Sequence, residues 1–245
     1  MSVALVTGAG RGLGAAIATE LGARGHHVIV NYRSDAESAR AVAEGIGTAV
    51  RADVTDPRDV DRLVARVVDD HGRIDVLVVN ANTAPPPFAS LVDLTWEAFA
   101  AKVDGELAGA FHVTKRVLGV MRAGGRIVYV GSTAADYVGG GRLAHGVAKN
   151  ALAVFARHVA AETARHGITV VTVAPGAVRT AASEHVLTAD RARHLAEHSV
   201  LGRVLEPVDV ARAVAVVAGE ELRPATGSTI RLDAGWSVLV GGPTS

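Results

Sequence analysis

The chain has 245 residues, 49% of them hydrophobic, with 25 basic and 25 acidic side chains and no cysteine. That length suits one large α/β domain, and the apolar content is enough for a sizeable core and too high for a disordered chain. A charge balance of zero argues against nucleic acid or a membrane surface as partner, and the missing cysteines exclude disulfides, thiolate nucleophiles and thiolate-held metals.

The apolar run that opens the chain, Val3 to Val6, lacks the basic flank of a signal peptide. Nowhere do about 18 apolar residues follow one another, as a membrane span requires. With no cysteine, this fits a cytoplasmic protein. Along the chain, short β-branched runs alternate with alanine-rich stretches of helical spacing. The predicted strands cover 3–7, 28–32, 48–52, 76–80, 126–131, 169–174 and 228–232. They are nearly continuously apolar, as strands buried on both faces must be. Val60, Leu63, Val64, Val67 and Val68 show the helical spacing found between them. The alternation predicts a single Rossmann-type α/β domain over 1–245, a doubly wound parallel sheet of about seven strands with helices on both faces. Two long helices are expected over 95–120 and 143–166. The segment 176–205 contains no strand and follows a strand's C-terminal end, which makes it a candidate substrate lid.

The strongest motif is Thr7-Gly8-Ala9-Gly10-Arg11-Gly12-Leu13-Gly14, which leaves the first strand and opens the first helix. Glycines let a backbone approach a pyrophosphate, and the helix N-terminus supplies N–H donors and the positive end of a dipole. The second strand ends Asn31-Tyr32-Arg33-Ser34, with no carboxylate until Asp35 to bind a ribose 2′-hydroxyl. Arg11 and Arg33 instead suit a 2′-phosphate, which favours NADP(H) over NAD(H).

With these motifs the chain resembles the short-chain dehydrogenase/reductase family over nearly its whole length, most closely the ketoacyl-carrier-protein reductase type. Thr7, Gly8, Gly12 and Gly14 match its cofactor turn, Asp53-Val54 its adenine contact, and Asn80 its Asn-Asn-Ala-Gly stretch. Pro175-Gly176 and Thr180 match the nicotinamide-side loop, and Asp233-Ala234-Gly235 the closing segment. The resemblance implies a nicotinamide cofactor, a small-molecule substrate and a homotetramer or dimer built on the two long helices. The small residues Ala108, Gly109, Ala148 and Ala151 would permit close approach there. It also admits a hetero-oligomer with an intact homologue.

The catalytic end departs from the family pattern of Ser, Tyr, Lys and a helix-borne Asn. Ser132 and Lys149 match; the Tyr slot holds His145, and the Asn slot holds Glu106. In a carbonyl reduction, negative charge develops on the oxygen and must be stabilised and protonated. The resemblance gives Lys149 the nicotinamide ribose and Ser132 the carbonyl oxygen. His145 is a competent acid with an ordinary pKa near 6.5, but its ring reaches roughly 2 Å less far than a Tyr hydroxyl. Lys149 would push His145 towards neutrality and Glu106 the other way, and the two can form an oriented carboxylate–imidazole pair. Tyr137, five residues after Ser132, is a second candidate for the missing phenol.

The leading expectation is therefore an NADP(H)-dependent ketoreductase or alcohol dehydrogenase with a non-standard proton donor: His145, Tyr137 or water. Three other readings stay open: a dehydratase, isomerase or cyclase driven by His145 and Glu106; a catalytically weak partner subunit; and a hydrolase using Ser132, His145 and Glu106, although no nucleophile elbow surrounds Ser132. His194 and His198 lie one helical turn apart without an evident third ligand, so no metal site is expected. His26 and His27 read as surface residues, and Trp236 as packing near the C-terminal tail. The pocket rim shows few cations, so the expected substrate is a neutral, apolar carbonyl or hydroxyl compound, in keeping with secondary metabolism.

Overall fold

The computed structural model describes residues 1–239. The apolar runs become β1 (Val3–Val6), β2 (His27–Tyr32), β3 (Gly47–Arg51), β4 (Val76–Val79), β5 (Arg126–Val130), β6 (Thr169–Pro175) and β7 (Thr229–Leu232). They form one seven-stranded sheet in the order β3-β2-β1-β4-β5-β6-β7, parallel throughout. The helices are α1 (Gly12–Ala23), α2 (Ala36–Ala43), α3 (Pro57–His71), α4 (Trp96–Leu118), α5 (Leu143–Thr163), α6 (Ala189–Glu197), α7 (Pro207–Val217) and α8 (Trp236–Leu239). The Rossmann-type α/β architecture predicted from the alternation is the one observed.

Alternate residues of each strand serve opposite cores, because successive side chains point to opposite faces. Leu5, Ile29, Leu77, Ile127 and Tyr129 pack with α3, α4 and α5 through residues such as Leu63, Val113 and Leu152. Ala4, Val6, Val28, Val78 and Val128 pack with α1 and α7 through Ile17, Leu21, Val210 and Val214. Both faces being covered is why the inner strands carry no polar alternation; only the edge strand β7, Thr229-Ile230-Arg231-Leu232, alternates with its polar residues exposed.

Local signals set the helix ends. Asp56 caps α3 by accepting from Arg58 N at 2.8 Å, Pro57 opens the helix, and Gly72 closes it at φ 74°. Thr95 caps α4, accepting from Ala98 N at 3.2 Å. The order of the strands reverses between β1 and β4, so the connections leaving these neighbours diverge and open a crevice at their C-terminal ends. The glycine turn lies there.

Several local expectations change. The second long helix ends at Thr163 and tightens into a 3₁₀ turn, Ala164–His166. The segment 176–205 contains a 3₁₀ turn, Ala181–Ser183, then α6, and is tied at its ends by a bridge between Val178 and Leu205. Gly109 and Ala148 are buried within the chain, Gly109 closely facing Val54 and Thr83, so neither is free for subunit packing. His26 and His27 are half-buried, with His26 Nδ1 3.0 Å from Ser2 Oγ and His27 Nε2 3.2 Å from Thr48 Oγ1. Among the described residues no helix is long and apolar enough to cross a membrane.

Leu77 is fully buried at the centre of the sheet. Leu77→Ala is expected to lower the unfolding free energy by about 2–5 kcal/mol, read as a shift in the urea midpoint at unchanged slope.

Candidate active site

The glycine turn is shaped by its neighbours. Gly8 has φ +62°, and a Cβ there would come within 2.9 Å of Ala81 Cα. Asn80 braces the turn from β4: its amide nitrogen donates to Thr7 O at 3.0 Å and Gly8 O at 3.2 Å. Its backbone N–H donates to Thr7 Oγ1 at 2.9 Å. Asn80, expected to touch the cofactor, thus has its amide nitrogen engaged by the turn itself. From β2, Asn31 Oδ1 accepts from Gly8 N at 3.2 Å and the Asn31 carbonyl accepts from Ala9 N at 2.8 Å. The sequence reading missed this brace.

Gly14 has no room for a side chain, since a Cβ would meet Gly8 O at 2.3 Å. Gly12 has φ +56° and open space where its Cβ would be. Arg11, the N-cap of α1, makes no side-chain cap. An uncapped helix start facing open space is the cradle that a pyrophosphate fits.

At the adenosine end, Asp53 Oδ1 accepts from Thr55 N at 3.0 Å and from Thr55 Oγ1 at 2.7 Å. Asp53 Oδ2 lies 4.0 Å from Arg33 Nη1. The Val54 side chain belongs to the core beside Gly109. Arg11 and Arg33 are both exposed next to this end. At the other end of the crevice, Gly176 N donates to Leu232 O at 2.8 Å, which holds Pro175-Gly176 against Asp233-Ala234-Gly235. Thr180 starts the 3₁₀ turn, tied to Ser183 Oγ through its backbone N–H at 2.9 Å.

The centre is organised by a carboxylate between two cations. Glu106, on α4, accepts from Lys102 Nζ at Oε2 and from Lys149 Nζ at Oε1, each at 2.7 Å. All three residues are buried. Buried charges are tolerated only when paired and hydrogen-bonded, and an ammonium has three N–H donors. Lys102 places all three, on Glu106, on Asn82 Oδ1 at 2.6 Å and on Ala84 O at 3.1 Å. Lys149 places two, on Glu106 and on Val130 O at 3.0 Å, and keeps one. Burial alone would raise the Glu106 pKa, but the Lys149 and Lys102 cations hold it down to about 2.

The expected Glu106–His145 pair is not seen: among the described residues no hydrogen bond joins them, and both carboxylate oxygens accept from lysines. Burial first, then the Lys149 and Lys102 cations, push His145 down to about 4 against the opposing pull of Glu106. The ring is neutral at pH 7, and its Nδ1 is buried without a partner. Ser132 caps the 3₁₀ turn Thr133–Ala135, accepting from Ala134 N at 3.1 Å. Among the described residues no hydrogen bond joins Ser132, His145 and Glu106, so the hydrolase relay is not assembled.

Ser132 and Lys149 border a groove between α5 and the β6–β7 edge. Tyr137 lines a separate cleft of about 200 Å³ that runs from Gly176 to α6. Trp236 meets the Tyr137 ring edge-on at 5.9 Å and lines the same cleft; the tail beyond residue 239, against which it was expected to pack, lies outside the described residues. The expectation of few cations is corrected too: Arg142, Arg191 and Arg203 all line it, two of them carried in by the segment 176–205. On α6, Glu197 joins His194 and His198, their ligand atoms within 4.8 Å of one another, so a third ligand exists on that exposed face. The sequence reading missed Lys102 and Asn31, and it expected Asn82 only on the pocket rim, not as an acceptor for Lys102. The spacing of Lys102 and Glu106, one helical turn apart, was the available signal.

Lys102→Met removes one cation from a buried carboxylate and is expected to cost about 3–5 kcal/mol in denaturant unfolding at pH 7. Because the folded Glu106 pKa lies below its unfolded value, this stabilisation is present above about pH 4.5 and is lost as pH falls towards 2. Acid unfolding of Lys102→Met, followed by circular dichroism, should therefore begin at higher pH than in the parent.

Comparisons with known proteins agree with this architecture. A family model described as enoyl-(acyl carrier protein) reductase matches residues 8–237. Versicolorin reductase 1 of Aspergillus parasiticus is 38% identical over 95% of both chains. The 3-oxoacyl-(acyl-carrier-protein) reductase FabG of Escherichia coli is 33% identical over 95% of this chain and 96% of its own. Among solved structures, a short-chain dehydrogenase of Burkholderia cenocepacia in complex with NADP superposes with a TM-score of 0.88 at 32% identity, covering 97% of this chain and 98% of that one. The angucycline C-6 ketoreductase LanV with bound NADP gives a TM-score of 0.87 at 32% identity, covering 98% and 96%. The chain belongs to the short-chain dehydrogenase/reductase family and is an oxidoreductase of its ketoreductase-like kind.

Proposed function

We propose that the chain is an NADP(H)-dependent ketoreductase that stabilises the developing alkoxide with a neutral imidazole instead of a phenol. The observation that carries this is the pairing of Lys102 and Lys149 on Glu106, which leaves Lys149 one free N–H, beside a His145 that burial first and the two lysine cations second keep uncharged. The angucycline C-6 ketoreductase and versicolorin reductase among its relatives support a carbonyl compound as substrate, and the NADP complexes of the Burkholderia dehydrogenase and of LanV support the cofactor.

When bound, the nicotinamide supplies the hydride. The N–H groups of Gly12, Leu13 and Gly14, at the positive end of α1, hold the pyrophosphate. Gly8 and Gly10 let the backbone approach it. Arg11 and Arg33 hold the 2′-phosphate, and Asp53 with the Val54 backbone holds the adenine. Pro175, Gly176 and Thr180 flank the nicotinamide, and the remaining N–H of Lys149 holds its ribose. The Ser132 hydroxyl and the His145 Nε2–H donate to the carbonyl oxygen, where a preorganised donor contributes most. The final proton comes from solvent, because the neutral ring holds no imidazolium proton to give. Tyr137, in the cleft, touches the body of the substrate, and the segment 176–205 serves as its lid. Exposed apolar residues on α4 and α5, with Phe111 46% exposed, suit assembly into a dimer or tetramer.

NADPH oxidation followed at the nicotinamide absorbance across a panel of ketones tests the reaction; binding without turnover of any ketone would overturn it. Arg11→Ala with Arg33→Ala is expected to weaken NADPH binding by about 10- to 100-fold while leaving NADH little changed, read by titration calorimetry. His145→Ala is expected to lower kcat by about 100-fold or more. A His145 neutral above about pH 4 gives a rate that does not fall between pH 5 and 8 through loss of its proton. An imidazolium acid of ordinary pKa would lose activity as pH rises through about 6.5. The pH profile of kcat at saturating NADPH separates the two.

A further inference from the structure

We infer that the cleft takes a carbonyl compound bearing a carboxylate, and that Arg142 and Arg191 form the subsite for that group. The inference rests on the ketoreductase reading only for which end of the molecule is reduced.

The cleft starts at Gly176 and Ala177, on the nicotinamide side, and its walls are apolar through Val138, Leu195, Leu205 and Trp236. Its charged lining consists of Arg142, Arg191, Arg203 and Asp233. Two of these are already satisfied. Arg203 is held by Asp209 through two hydrogen bonds of 2.6 and 2.9 Å. Asp233 accepts from Gly235 N at 3.0 Å and from Ser237 N at 3.3 Å. Arg142 and Arg191 have no carboxylate partner among the described residues. Arg193, two residues along α6, is paired with Asp190 at 3.1 Å, so the unpaired state of Arg191 is not general to that helix.

The start of α5 adds to the same field. Arg142 is its N-cap residue, no side chain caps the helix, and its first turn contains no acidic residue. A 21-residue helix thus presents its positive end beside a guanidinium. Two guanidiniums without carboxylate partners leave an excess of positive charge along one cleft, which a bound anion offsets. The planar guanidinium fork matches a carboxylate bidentately, and the apolar span from Gly176 to the arginines suits a hydrocarbon or aromatic body between the carbonyl and the acid.

The test uses binding, so that it does not depend on turnover. With 2-naphthoate and its neutral methyl ester as probes, titration calorimetry on the protein with and without NADP⁺ is expected to show naphthoate binding at least about tenfold tighter than the ester. Arg142→Gln with Arg191→Gln is expected to abolish that preference while leaving ester binding unchanged, and Arg193→Gln is expected to keep it. Equal affinity for the two probes, a preference that survives the double substitution, or no naphthoate binding at all would each overturn the inference. NADPH oxidation with ketones is read separately: naphthoate binding without any turnover sinks the ketoreductase reading and leaves the carboxylate subsite standing.

Discussion

A single carboxylate shared by two ammonium groups governs the chemistry of this site. Glu106 is not protonated at neutral pH because Lys102 and Lys149 hold its pKa down to about 2, and a carboxylate so stabilised is a weak base. Each lysine is fixed in turn by neutral oxygens, Lys102 through Asn82 and Ala84, Lys149 through Val130. Four elements of the chain thus meet at one ion cluster: the loop after β4, α4, the end of β5 and α5. The cluster carries one positive charge in excess. A buried excess charge is costly, and it persists where a site uses the field it creates.

That field accounts for the chemistry available to His145. Cations favour whichever form of a neighbouring acid carries less positive charge. For an imidazole this means loss of the ring proton, and burial acts in the same direction. The ring is therefore a donor of a hydrogen bond and not of a proton. On the proposed reading, Ser132 and His145 together would stabilise the oxygen of a reacting carbonyl, and the proton would come from solvent.

Most of the fold was legible in the sequence. Strands buried on both faces are continuous apolar runs, and Gly8, Gly12 and Gly14 could only be a turn feeding a helix start, so the architecture and the cofactor crevice followed directly. The catalytic centre was legible in its membership but not in its connections. Ser132, His145, Lys149 and Glu106 were all found by position. Which of them touch was not, because a buried lysine reads in sequence like a solvated one. Lys102 was passed over for that reason, and the missing partner made Glu106 look free to orient His145. The cleft's arginines were hidden for another reason. Arg191 and Arg203 reach it only through the path of the segment 176–205, which no periodicity determines.

Burial first and the two lysine cations second silence His145 as an acid; on a phenol in its place burial would oppose deprotonation, while the cations would favour it. Exchange of one ring for the other is thus not a simple change of pKa within a fixed mechanism. A phenol near an ammonium moves towards the range where it can give up its proton; an imidazole in that position moves away from holding one. The pairing of Glu106 with a second lysine deepens this difference, because it leaves the cluster positive even with the carboxylate fully ionised. Electrostatic stabilisation of the oxyanion, rather than proton delivery, is the role that this chain's arrangement leaves to its protein groups.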